Sequence, residues 1–138
     1  MKYYIVKYVK ELPLGFGGTA QGPVIKLLSK HKADVGLLEH EKVHVRQWYV
    51  GLIFGLAVST MLMLLVSLSF WPLYGMAPYL HPLTYRLIRV YRLWCEVRAY
   101  RKQIQVGGYS SNDFAVIALV EKYDLGMSVD QARTLLLD

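Results

Sequence analysis

The run HEKVH sets His40 and His44 four positions apart, with Glu41 directly after the first histidine. On a helix that spacing is about one turn, so both imidazoles reach a single ion at the ~2 Å that zinc prefers. Glu41 then points past the ion, where it can take a proton from an attacking water and pass it to a leaving amine. The chemistry this pattern supports is metal-assisted hydrolysis of a peptide bond. A plain surface helix is the bland alternative, and the helical wheel argues against it. Leu37, His40, Glu41, His44 and Trp48 share one face, whereas Glu39, Lys42 and Arg46 take the other. Polar groups on an inward face need partners, and one cation serves two histidines at once.

A catalytic zinc usually keeps three protein ligands and one open position. The extended pattern HExxHxxGxxH of the metzincins does not supply the third, because Gln47 and Val50 stand where its glycine and last histidine would be. The candidates elsewhere are Glu96, His31, His81 and Cys95. Glu96, in WCEVRAYRKQ, is the only acidic residue between Glu41 and Asp113. It shares a helix face with Leu93, Tyr100 and Gln103, which makes it the expected third ligand; an ion pair with Arg92 is its ordinary alternative. His81, between proline-rich turns, and His31, in the polar run SKHKAD, read more naturally as loop histidines. Cys95 points ~100° away from Glu96 on a helix and suits a small buried residue.

These residues must be positioned by one domain of 138 residues, 54% of them hydrophobic and only 19% charged, with a formal charge of +6. Mean hydropathy is +0.28. Such a chain sits partly in a membrane or hides apolar surface in an oligomer. Residues 47–85 contain no Asp, Glu, Lys or Arg, and a basic run (Arg86, Arg89, Arg92, Arg98, Arg101, Lys102) follows at once. A lipid surface explains basic charge beside apolar chain better than nucleic acid does, since no nucleic-acid-binding signature accompanies it. Cys95 is the only cysteine, so no intrachain disulfide forms. The N-terminal MKYYIVKYVKEL lacks the long apolar core of a signal peptide.

The expected fold is α+β and mainly helical. Residues 2–10 and 23–29 read as strands of a small antiparallel element, with Gly15, Gly17, Gly18 and Gly22 marking the loop between them. Pro23 at the start of the second strand argues for an edge or a strand end, where a missing N–H is tolerated. Asp34 is placed to cap a helix over 36–50. A second helix is expected over 52–71, where LIFGLAVSTMLMLLVSLSFW is long enough to cross a bilayer. Residues 72–85 return irregularly through three prolines, a Glu-bearing helix covers 83–105, and Gly107-Gly108 ends it. Two short helices close the chain, the first capped at Ser110 or Ser111 with Asp113, the second by Ser128 and Gln131.

With LLEHEKVHVRQWY followed by WCEVRAYRKQ, the sequence resembles the very small gluzincin-like metallopeptidases encoded by bacteria and phages. The resemblance spans roughly residues 3–136 by order of elements, and its specific part is the two motif segments. It implies His40, His44 and Glu96 as ligands of Zn²⁺ and Glu41 as general base and acid. It also implies that an edge strand before the metal helix, at residues 23–29, binds the backbone of a peptide or protein substrate. Tyr100 stands where gluzincins often carry an acidic residue; a tyrosine there is a candidate for stabilising the oxyanion. The apolar insertion at 50–85 is foreign to a minimal soluble gluzincin. For Glu96 to meet the two histidines this segment must leave and return on the same side, as an even number of passes or a re-entrant hairpin. Arg46 and the basic run from Arg86 would then flank it at the cytoplasmic face of a membrane. The competing expectation is a non-catalytic membrane-associated adaptor with a structural metal site, completed by His31, His81 or Cys95.

Overall fold

The computed structural model describes residues 2–137. Its strands are β1 (Ile5–Val9), β2 (Gly18–Gln21) and β3 (Val24–Leu28), ordered β1-β3-β2. The α+β, mainly helical class holds, but the sheet is mixed: β3 runs antiparallel to β2 and parallel to β1. β2 lies inside the segment expected as loop. Gly22, at φ 59°, turns the chain directly from β2 into β3. Residues 23–29 therefore supply the central strand instead of an edge, and Pro23 sits just before it, where no ladder N–H is needed. Alternation along β3 buries Ile25 and Leu27 against Val45, and Tyr4, Val6, Leu37 and Tyr49 pack around them.

Asp34 caps the next helix as expected, its Oδ1 accepting from Leu37 N at 2.8 Å. That helix, α1 (Val35–Leu65), is continuous over 31 residues, ~46 Å of rise. The two separate helices expected at 36–50 and 52–71 are thus one, because no proline interrupts the run before Pro72. By length and apolar composition α1 is able to cross a membrane. Its apolar end stops short of the expected boundary, however: residues 52–65 rise only ~21 Å.

The chain returns along α1 through a 3₁₀ turn at Leu68–Phe70, α2 (Leu73–Met76), a second 3₁₀ turn at Ala77–Tyr79 and α3 (Leu80–Leu87). Close approach rests on two glycines of α1. A Cβ on Gly51 would stand 2.8 Å from His81 Cβ, and one on Gly55 would stand 3.0 Å from Ala77. Ile88, at φ −107° and ψ 104°, breaks the helix before α4 (Arg89–Gly107), which ends on left-handed Gly108. The helices α5 (Asp113–Glu121) and α6 (Val129–Leu137) pack on α4 through Val97, Tyr100, Leu119, Ala132 and Leu136. Ser111, not Ser110, bonds Asp113 at the start of α5. Ser128 and Gln131 form the reciprocal capping box before α6.

The helical arm keeps its apolar residues outside. Ile53, Phe54, Leu64, Leu65, Leu68 and Trp71 are each more than 60% exposed. Its polar side chains are satisfied internally: Ser59 donates to Gly55 O, Thr60 to Leu56 O, and Thr60 also meets the Tyr74 hydroxyl at 2.8 Å.

Candidate metal centre

The site forms where α1 crosses α4, between the sheet on one side and the α4–α6 core on the other. α1 presents His40, Glu41 and His44; α4 presents Glu96, only 1% exposed. One ligand atom from each of His40, His44 and Glu96 lies within 4.8 Å of the others. The two Nε2 atoms stand 3.1 Å apart. Glu96 Oε1 is 3.4 Å from His44 Nε2, and Oε2 is 3.7 Å from His40 Nε2. Tetrahedral ligands at ~2.0–2.1 Å from zinc stand about 3.3 Å from one another. The triangle has that size, and Glu96 Oε2, fully buried, has no hydrogen-bond partner among the described residues. The donor set and its unsatisfied oxygen fit a divalent cation of zinc's size.

His44 is oriented by a partner on its other ring nitrogen. Gln47 donates its Nε2 to Cys95 O at 3.2 Å, which turns its Oε1 toward His44 Nδ1 at 2.9 Å. An amide oxygen only accepts, so His44 carries its proton on Nδ1 and offers the Nε2 lone pair to the centre. Gln47 thereby ties α1 to α4 through the ligand. Burial, then the neighbouring His44, hold His40 well below the usual histidine range, and its Nδ1 is buried with no hydrogen-bond partner among the described residues. The Tyr100 ring packs edge-on against His40 at 4.5 Å. Replacing Gln47 with Leu keeps the volume and removes both bonds. Chelator competition is expected to show a ~10–100-fold weaker metal affinity, with Gln47→Glu, which retains the acceptor, losing less.

Glu41 is 4% exposed and lies under β2. Burial first, and Glu96 second, push its carboxyl up to about 8. A Cβ built on Gly18 would stand 2.8 Å from Glu41 Oε1 and 2.7 Å from Leu27, so only glycine leaves Glu41 its place. Gly18→Ala is expected to cost ~1–3 kcal/mol of stability and at least tenfold in turnover (about 1.4 kcal/mol of barrier), with zinc content unchanged. Thermal melts, kinetics and metal analysis on one preparation check this.

A cleft of about 490 Å³ opens over these residues. Its walls are β2 from Gly18 onward to Gly22, Trp48 on α1, and Pro78, Tyr79, His81, Pro82 and Tyr85 on the return limb. The Tyr85 hydroxyl donates to Glu96 Oε1, and Tyr123 lines the cleft from the far side. Tyr100 is buried behind His40 and is not among the lining residues; its hydroxyl meets that of Tyr123 at 3.1 Å. The other candidate ligands stand apart from the triangle. His81 is in the cleft wall with Nδ1 2.9 Å from the Tyr91 hydroxyl. His31 is half-buried beside Gly17, and Cys95 is a buried free thiol. Sequence reasoning did not find Gln47, Tyr85 or Tyr123. The signal for Gln47 was an amide three residues after a ligand histidine; the two tyrosines carry none.

Compared with family models, with curated proteins and with solved structures, the chain matches none. The geometry of the site stands alone as the guide to its chemistry.

Proposed function

We propose that the protein is a gluzincin-like, zinc-dependent metallopeptidase that works at the cytoplasmic face of a membrane. The observation that carries this reading is the convergence of His40, His44 and Glu96 within 4.8 Å, with Glu41 buried alongside. Three such ligands leave a tetrahedral position open, as a catalytic centre needs and a closed structural site does not. Zinc bound there would polarise the scissile carbonyl and lower the pKa of the attacking water.

The chain's own residues supply the rest. Glu41 accepts the water's proton and delivers it to the amine nitrogen as the C–N bond breaks. Its carboxyl is buried in the cleft beside the triangle, inside the site where both transfers occur. The ladder between β2 and β3 pairs Thr19 with Lys26 and Gln21 with Val24, and Gly17 O accepts from Leu28 N. Alternation then directs the N–H and C=O of Gly18 and Ala20 away from β3, toward the cleft. A peptide added as a strand there is aligned by backbone hydrogen bonds. β2 thus takes the substrate-binding place that the family resemblance had put at residues 23–29. The hydroxyl of Tyr123 reaches the same space and is a donor for a developing oxyanion, with Tyr100 steadying both His40 and Tyr123, while Tyr85 gives its proton to Glu96 Oε1.

Membrane association is supported by the arm. Its residues from 47 to 85 carry no charge, the hydroxyls of Ser59 and Thr60 bond internally, and its apolar residues Ile53, Phe54, Leu64 and Leu65 are exposed. The return limb lies back along α1 at Gly51 and Gly55, so the arm enters and leaves on one side, as a re-entrant hairpin. Arg46, Arg86 and Arg89, all exposed, flank its base. Leu64→Glu with Leu65→Glu, both over two-thirds exposed, is expected to weaken partition onto anionic vesicles by at least ~100-fold, from ~1.5–3 kcal/mol per leucine. Vesicle sedimentation checks this, and a wild-type chain left wholly in the supernatant ends the membrane reading.

The peptidase reading is tested by incubating zinc-loaded protein with casein and a mixed peptide pool. Cleavage that stops with chelator and returns with zinc supports it. No cleavage by the loaded protein, or cleavage indifferent to chelator, contradicts it.

A further inference from the structure

The arm and the cleft are not separate features, because the return limb of the arm is one wall of the cleft. Pro78, Tyr79, His81, Pro82 and Tyr85 line it, while Tyr79, Leu80 and Leu83 of the same limb are exposed apolar surface. The opposite wall leads to the same place. β2 starts at Gly18, over Glu41, and ends near Gly22, whose Cβ position lies 3.4 Å from the Trp48 indole. Trp48 Nε1 in turn donates to Pro78 O at 2.9 Å, fastening α1 to the return limb at the root of the arm. A peptide strand laid on the free edge of β2 therefore runs from Glu41 to the root of the arm.

We infer that the substrate is a membrane-anchored polypeptide, cut in the extended segment next to its anchor. This rests on the peptidase reading and on insertion of the arm, and it adds the substrate class and the position of the cut. When the arm lies in a leaflet, its root and the exposed Tyr79, Leu80 and Leu83 sit at the interface. A segment leaving the bilayer there meets an apolar wall without charge, then the open edge of β2, then Glu41. The four residues of β2 span ~13 Å at ~3.3 Å each. The scissile bond accordingly lies about four residues beyond the end of the anchor. Holding enzyme and substrate on one surface also raises their effective concentration, which is worth ~10²–10⁴-fold without any new contact.

The test uses the full-length, zinc-loaded protein in phosphatidylcholine–phosphatidylglycerol vesicles. A pool of randomised extended peptides is offered free in solution, and the same pool is offered joined at either end to a leucine-rich transmembrane helix. Casein in the same buffer reports peptidase activity as such. The expected result is cleavage of the anchored pool at least ~100-fold faster than the free pool, with cuts clustered about four residues from the anchor. The Leu64→Glu, Leu65→Glu variant, changed only at the far tip, should lose that advantage and still cut the free pool at the wild-type rate. Equal rates on both pools, cuts scattered without regard to the anchor, or an advantage that survives in the tip variant would overturn the inference while casein cleavage leaves the peptidase reading standing. Failure on casein as well would remove the peptidase reading and this inference with it.

Discussion

Glu41→Gln retains one zinc per chain and loses peptide cleavage by at least ~10²–10⁴-fold, the usual contribution of a positioned general base. Zinc is retained because the three ligand atoms come from His40, His44 and Glu96, and Glu41 adds none. Shape is retained because glutamine has the same volume and fits the same space under Gly18 and Leu27. What is lost is the proton acceptor, since an amide neither takes a proton from water nor returns one to the departing amine. Stability should not fall. Without metal, burial and Glu96 raise the Glu41 carboxyl and disfavour its ionised form, so a neutral amide costs the metal-free fold nothing. Metal content by mass spectrometry and turnover on casein or peptides check both halves. Cleavage at the wild-type rate would remove Glu41 from the chemistry.

The second large effect is expected at Glu96. Glu96→Ala should abolish stoichiometric zinc binding, lowering affinity by more than the ~10–100-fold typical of losing an outer partner such as Gln47. Glu96 brings the only ligand from α4, and its removal leaves two imidazoles from one helix facing an empty side. It also strands the Tyr85 hydroxyl, whose acceptor is Glu96 Oε1, and a buried unpaired hydroxyl costs about 1–3 kcal/mol. In the presence of zinc the variant should therefore melt well below the wild type, because stabilisation by a bound ion is lost with the affinity. Glu39→Ala is the matched control. Glu39 lies on α1, half-buried and paired with Lys42, and offers no atom to the ligand triangle, so its removal should leave zinc affinity unchanged. Calorimetric titration with zinc and a melt with and without the metal separate the two variants.

The convergence of His40, His44 and Glu96 was largely legible in the sequence because helical geometry is local. A spacing of four residues fixes the direction of His40 and His44 within one element, and the isolated acidic Glu96 on an apolar face signals a buried carboxylate. Tyr85 and Tyr123 reach the cleft only through tertiary packing, which spacing does not encode. β2 was hidden for a related reason: GTAQ, residues 18–21, has one β-branched residue among four and follows a glycine-rich run, so nothing local marks a strand. Its presence is dictated by Gly22, which folds the chain back onto β3. The expectation of an edge strand at residues 23–29, which the structure makes central, follows from that one omission. The arm was visible as apolar chain without charge. Its true helical limit at Leu65, and the fusion with the metal helix, depended on how Gly51 and Gly55 receive the return limb.

The central claim is a cation held by two imidazoles and one carboxylate with a position left open. X-ray absorption at the zinc edge, on protein purified without chelator, tests it most directly. The account predicts about one zinc per chain, bound by two histidine nitrogens and carboxylate oxygen, with at least one exchangeable light-atom ligand from solvent. A chain that binds no zinc, or one whose zinc is closed by four protein ligands or by the Cys95 sulfur, would contradict it.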